Sequence, residues 1–222
     1  MMTNLFSVFD PSSGVGMSFN WVSFGVGFFM FPMNKWGLTS RSGSWLTFIL
    51  GKLYSEVKPI FSIKGSVTSL MFMAMFLFII MNNMMGLIPY IFTATSHLAV
   101  TLSLALPMWL GYFSYGWVSN MKWMLAHLMP QGTPIVLMPF MVIIESVSSL
   151  IRPATLAVRL MANMIAGHLL LTLVSNAVYI FNFNSVLSVV TLQILLVVLE
   201  VAVAAIQAYV FVVLSVLYSS EI

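Results

Sequence analysis

The sequence predicts an all-α membrane protein. It should have about five membrane-embedded helices plus an amphipathic inner-surface helix, with the last two helices long, steeply tilted and antiparallel. Three observations carry this. Of 222 residues, 61% are hydrophobic and only 6% are charged, whereas a soluble domain carries roughly 25% charged residues. Eight basic and five acidic side chains cannot cover a water-facing surface. Several apolar runs exceed the length of about 18 residues that a spanning helix needs. A soluble enzyme and a nucleic-acid-binding module are therefore excluded, and a net charge of +3 is too small to draw a nucleic acid.

The first apolar block, residues 14–32, is the weakest span because glycines and serines interrupt it. Between it and the next block lie Lys35, Arg41, Lys52, Lys58 and Lys64, five of the eight basic residues. The positive-inside rule puts this segment on the cytoplasm-like side and the N-terminus outside. Residues 42–61 are expected to form an amphipathic segment on the inner surface, around Trp45–Tyr54; the plain alternative is a basic loop. Blocks two and three, 67–88 and 97–118, have the length of ordinary crossings, with Pro107 as a kink in the latter. The whole chain reads as one membrane domain, 1–222.

Blocks four (135–178) and five (185–218) do not fit ordinary crossings. Block four has 44 residues, about 66 Å if helical throughout, against a hydrocarbon core of about 30 Å. Block five has 34 residues, about 51 Å on the same rise. Splitting block four at Pro153 would leave Arg152 in a lipid-buried loop. Two long helices packed against each other are simpler, and the short link 179–184 makes them antiparallel. So large a tilt goes beyond the usual range and calls for a protein partner.

Ionisable groups inside the membrane are costly and read as functional. Here they concentrate in these two blocks. Glu145, Arg152 and Arg159 follow each other at intervals of seven residues, with Asn163 four further on and His168 nine after Arg159. At about 100° per residue the first four share a slowly drifting stripe, while His168 points to the opposite side. Gln193, Glu200 and Gln207 repeat at seven in block five. This seam should meet His168, Asn163 or both. A His–Glu pair bridged by water passes protons at physiological pH. An arginine, with a pKa above about 12, cannot relay protons and acts instead as a fixed charge.

Each residue also has a plainer reading. Arg159 pairs with Glu145 or Glu200, Arg152 neutralises Glu145 or snorkels, and His168 is an interhelical hydrogen bonder. Gln193 is helix–helix glue, and His97 and His127 are interfacial. Ala154, Ala157, Ala162, Ala166 and Gly167 permit close helix approach under either reading. Zero cysteines exclude disulfides, thiolate metal sites and cysteine nucleophiles. There is no phosphate-binding loop, zinc motif or dinucleotide fingerprint, so no cofactor, no metal and no catalysis by the chain alone are expected. Residues 1–13 carry no basic n-region and one acid, Asp10; no cleavable leader is expected. Nineteen methionines suit flexible apolar filling and agree with synthesis in an organelle with a methionine-rich codon assignment.

At these residues the chain resembles subunit a of F-type ATP synthases in their mitochondrial form, over essentially its whole length. The stretches Leu156-Ala157-Val158-Arg159-Leu160-Met161-Ala162-Asn163-Met164-Ile165-Ala166-Gly167-His168 and Leu199-Glu200-Val201-Ala202-Val203-Ala204-Ala205-Ile206-Gln207-Ala208-Tyr209-Val210-Phe211 carry most of it. Gly86-Leu87-Ile88-Pro89-Tyr90, Pro130-Gln131-Gly132-Thr133-Pro134 and an arthropod-like opening, residues 1–11, add to it.

The resemblance implies a proton-conducting stator with two offset half-channels beside a rotating c-subunit ring. Arg159 would face the ring carboxylate and block a proton shunt. His168 and Glu200, with Asn163 and Gln207 nearby, would form the entry half-channel, and Glu145 would lie on the exit path. It further implies the mitochondrial inner membrane, with the N-terminus in the intermembrane space and the C-terminus in the matrix. The partners would be the c-ring, other membrane and peripheral-stalk subunits, lipid, protons and channel water, and no nucleic acid. Two residues depart from the family pattern. Arg152 is a second basic residue one heptad before Arg159, and Met161 stands where a small polar residue is frequent. The alternatives are a self-contained secondary transporter or a proton-pumping respiratory-chain subunit, and a purely structural scaffold. The first lacks the internal repeats such folds usually show.

Overall fold

A computed structural model describes residues 5–12, 18–29, 40–59, 66–129, 134–177 and 183–220. The elements are helices throughout: α1 Val22–Phe29, α2 Arg41–Val57, α3 Ser66–Gly86, α4 Leu98–Ser119, α5 Met121–His127, α6 Met138–Ala177 and α7 Phe183–Ser220, with short 3-10 turns at Leu5–Phe9, Phe19–Trp21, Ala94–Ser96 and Ile135–Leu137. No strand occurs among the described residues. Four helices, α3, α4, α6 and α7, are long and apolar enough to cross a membrane. Of the first apolar block only 18–29 is described, as a 3-10 turn running into α1. The rest of that block, the basic residues Lys35 and Lys64, most of the 130–134 motif and most of the 179–184 link lie outside the described residues.

The basic segment forms a helix rather than a loop. Ser40 caps α2, its hydroxyl accepting from the Gly43 backbone N–H at 3.1 Å, which satisfies one of the donors every helix start leaves open. Leu53 and Val57 on one side of α2 are buried, while Trp45, Phe48 and Ile49 are exposed. Lys52 sits 5.0 Å from the Phe48 ring centroid and Lys58 5.9 Å from that of Tyr54. These exposed aromatics with basic side chains over them suit an interfacial helix. Tyr209 ties α2 to α7 by donating its hydroxyl to Glu56 at 2.9 Å.

Block four is one unbroken helix and block five is another. At 40 and 38 residues, each is about 57–60 Å long, twice the hydrocarbon thickness, and so must incline or bend to stay within it. Gly167 meets Glu200 in one half of the pair, and Arg152 meets Tyr218 in the other, which makes α6 and α7 antiparallel. Pro153 sits inside α6, buried beside Trp109, Tyr112, Phe211 and Tyr218. Packing from α4 and α7 therefore holds the helix together where its hydrogen-bond ladder is interrupted.

The core explains this arrangement. Leu156, Ala157, Leu160 and Met164 are buried, a stripe at the i, i+4 spacing of one helix face. Ala204, Ala208, Val212 and Val216 form the matching stripe on α7. Phe72, Phe76 and Ile79 of α3 and Ala105 and Met108 of α4 fill the space between. The Phe72 and Tyr112 rings stack at 5.7 Å. Small residues on α6 and α7 bring the backbones close, as membrane interfaces require. No described residue covers the other face of the α6–α7 pair: Ile151, Val158 and Leu170 on α6 and Ile194, Val198 and Ile206 on α7 are exposed.

Candidate functional site

Arg159 lies on α6 between the buried residues Ala157 and Leu160, and it is itself exposed. Thr155, Val158, Ala162 and Ala166 are exposed on the same helix, so the guanidinium emerges from a strip of mostly small side chains. Neither carboxylate that could neutralise it does so. Glu145 is 14 residues away on the same helix, about 21 Å, and pairs with Arg152 at 3.6 Å. Glu200 sits level with Gly167 and faces His168 at 3.9 Å. Among the described residues Arg159 makes no ion pair. A permanent charge in this position demands an opposite charge from elsewhere.

His168 turns inward to α7, away from the face that Arg159 occupies, as the nine-residue spacing requires. Its Nε2 lies 3.9 Å from Glu200 Oε1, beyond direct hydrogen-bond range. That nitrogen and both Glu200 oxygens are buried with no partner among the described residues. Glu200 is 5% exposed. Gly167 makes its position possible: a Cβ there would collide with Glu200 Oε1 and stand 2.8 Å from its Cδ. Next to the carboxylate is a cavity of about 180 Å³, lined by Asn163, Gly167, Leu171, Leu196, Glu200 and Val203 among others. Water occupies about 30 Å³ per molecule, so several fit. The pair and cavity can thus hold a water-bridged proton relay.

The Phe9 ring stands edge-on to His168 at 6.4 Å, so the N-terminal turn shares this end of the molecule. Asn163 joins Glu200 at the cavity, as the spacing anticipates. Gln193 and Gln207 are half-buried and do not line it.

The opposite end holds the second charged group. Arg152 bridges to Glu145, and its guanidinium carbon lies 5.2 Å from the Tyr218 ring centroid. Around them is a pocket of about 60 Å³ with Trp109, Phe113, His127 and Ser149 on its wall. Tyr218 and Ser149 escaped sequence reasoning: an aromatic at a helix end and a serine in an apolar run carry no signal until the fold brings them to the pair. Gly167 read only as a small residue for close packing, and its specific accommodation of Glu200 depends on the register of α7. His97 sits at the N-terminal end of α4, its ring 5.2 Å from Trp21 and 5.1 Å from Phe92. Among the described residues no three His, Cys, Asp or Glu side chains gather as a metal site.

The chain is similar to known proteins along its whole length. The family model for the ATP synthase A chain matches residues 16–220. ATP synthase subunit a of Drosophila mauritiana is 55% identical over 223 residues, covering all of both chains. The subunit a of Anopheles gambiae is 54% identical over 225 residues and that of Aedes aegypti 52% over 225 residues, again covering all of both chains in each case. With the family model spanning nearly the whole sequence and relatives above half identity along its full length, the chain belongs to the ATP synthase A chain family, membrane subunits of the F-type ATP synthase.

Proposed function

We propose that the chain is the proton-conducting stator of the membrane sector of its ATP synthase, seated in the mitochondrial inner membrane against a ring of c subunits. Two offset half-channels meet at Arg159. Protons enter from the intermembrane space past His168 and the cavity beside Glu200 and Asn163, with Gln207 at the inner end of the seam. They load a ring carboxylate, ride around with it, and leave past Glu145 on the matrix side. Arg159 attracts the deprotonated ring carboxylate and bars direct passage between the two paths. The N-terminus lies in the intermembrane space and the C-terminus in the matrix.

The observation that carries this reading is the exposed guanidinium of Arg159, unneutralised by any described residue, on an apolar face the chain leaves uncovered. A fixed charge in lipid is costly, and a carboxylate supplied by a neighbour removes that cost. A self-contained transporter would turn its charges toward a shared internal site; here the arginine turns away from the only relay pair described on the chain.

The experiment is Glu200→Gln in the assembled synthase, reconstituted into vesicles. Glutamine keeps the size that Gly167 accommodates and removes the titrating group. Proton-driven ATP synthesis should fall on the order of 100-fold, the loss expected when a positioned proton-transfer group is removed. Wild-type synthesis in a correctly assembled variant would refute the relay.

A further inference from the structure

His168 can serve a relay only while its ring stays turned toward α7. Its Nε2 lies 3.9 Å from Glu200 Oε1, a gap for bridging water rather than for a direct bond, and no described residue bonds that nitrogen. The outer torsion of an imidazole is broad, with no sharply preferred setting. A rotation about it would carry Nε2 away from the carboxylate, and displacing a reacting group by about 1 Å can cost on the order of 100-fold in rate. With no bond at that nitrogen, packing against the ring has to hold it.

The N-terminal turn supplies such packing. Leu5–Phe9 is a 3-10 turn that rests on α6. It sets the Phe9 ring edge-on to the imidazole, with centroids 6.4 Å apart and planes at 82°, an arrangement that aromatic rings prefer. Several hydrogen bonds keep the turn in place. The Asp10 backbone N–H closes it by donating to the Ser7 carbonyl at 3.3 Å. The Asp10 carboxylate accepts from the Ser12 N–H at 3.0 Å. Asn20 Nδ2 donates to the Asp10 carbonyl at 3.4 Å, which ties the turn to the residues leading into α1. Ser23 then fixes the start of α1, its hydroxyl donating to the Phe92 carbonyl at 2.9 Å. The two aromatic rings of the turn are placed differently. Phe9 is half-buried beside His168, whereas Phe6 is 68% exposed.

We propose that the N-terminal turn is a strap over His168, and that Phe9 is a positioning residue that keeps the imidazole covered and aimed at Glu200. This rests on the relay reading above and extends it to a segment at the far end of the sequence. Phe9 neither gives nor takes a proton. Its ring limits the rotation of the imidazole, so that Nε2 stays within one water of the carboxylate. The step it serves is the passage of a proton between His168 and Glu200. An apolar side chain without a ring would fill much of the same space and lose the edge-on contact.

The test is Phe9→Leu in the assembled synthase in vesicles, with Phe9→Tyr beside it and Phe6→Leu as a control on the same turn. One readout is proton flux per assembled complex. The other is carbethoxylation of His168 by diethyl pyrocarbonate, located by mass spectrometry among the three histidines of the chain. The strap predicts that Phe9→Leu assembles, that its flux falls about two- to tenfold, the rate equivalent of one aromatic contact, and that His168 is labelled faster. Phe9→Tyr keeps the ring and should stay near wild type in both readouts, as should Phe6→Leu. A turn that only anchors the N-terminal segment predicts unchanged flux per complex and unchanged labelling in Phe9→Leu. That result, or equal slowing by Phe9→Tyr or Phe6→Leu, overturns the strap. If it is overturned while Glu200→Gln still loses flux, the relay stands and only the part given to Phe9 is wrong; if Glu200→Gln also keeps wild-type flux, the relay itself fails and the strap with it.

Discussion

Replacing Arg159 by alanine is expected to abolish proton-coupled ATP synthesis while the complex still assembles. Most intramembrane arginines cannot be removed so cleanly. Breaking a buried ion pair leaves the other charge stranded, at a cost of roughly 3–5 kcal/mol. Arg159 strands no acid among the described residues of its own chain, since Glu145 is held by Arg152 and Glu200 faces His168. The side chain is exposed and its neighbours Leu156, Ala157 and Leu160 already fill the core behind it. Folding should therefore be nearly unaffected, and the whole loss should appear in function. ATP-driven acidification of vesicles should vanish. Passive proton leak through the sector should persist or rise, because the barrier between the two paths has gone. Arg159→Lys should also fail, since a compact ammonium lacks the planar, delocalised charge of guanidinium. Coupled pumping in Arg159→Ala at the wild-type rate would remove the arginine from the mechanism.

Gly167→Ala should be nearly as damaging, for a different reason. The added Cβ would occupy the place of the Glu200 carboxylate, standing 2.8 Å from Cδ and 3.0 Å from Cγ. Either Glu200 swings away from His168, or α6 and α7 separate. Overpacking of this kind costs roughly 1–3 kcal/mol. In both cases the relay geometry is lost, so proton entry should stop. The double variant Gly167→Ala with Glu200→Ala separates the two effects. Removing the glutamate side chain clears the space, so thermal stability of the assembled complex should recover toward wild type while proton flux stays absent. Recovery measures the coupling between two touching residues. If Gly167→Ala alone keeps both stability and flux, the close packing of Glu200 against α6 is wrong.

Much of this architecture was legible in the residues. Blocks 67–88 and 97–118 became α3 and α4 within a residue or two at each end, since unbroken apolar runs of spanning length have no other stable form in lipid. The two long blocks were legible as single helices because Arg152 forbids a lipid-buried break at Pro153. The opposed directions of Arg159 and His168 followed from helical angle alone. The pairing of Arg152 with Glu145, one heptad apart, was among the readings the spacing allowed.

Other features depended on contacts between distant parts of the chain. The choice of partner for Glu200 is set by the register of α7 against α6, which no local pattern encodes. The inward dip of Thr93–Ser96 follows from the packing of α3, α4 and α6 around it. Asn82 and Asn83 were absorbed into an apolar block, although two adjacent amides in such a run are a visible sign of a polar interior. The short helix α5 has too few residues for periodicity to show. Gly167 and Tyr218 gain their meaning only from the side chains they meet.

The central claim is that Arg159 faces a moving carboxylate bearer from another subunit. The chain has no cysteine, so a single introduced thiol reports cleanly. Ala162→Cys places one on the exposed face three residues from Arg159. In the intact synthase, mild oxidation with a cysteine placed beside the ring carboxylate should yield a disulfide between this chain and a ring subunit, and formation of that bond should stop rotation-coupled ATP hydrolysis until it is reduced. Failure of Ala162→Cys to link to any ring position, together with efficient linking to a non-rotating neighbour, would show that Arg159 faces something fixed, and would contradict the rotary role.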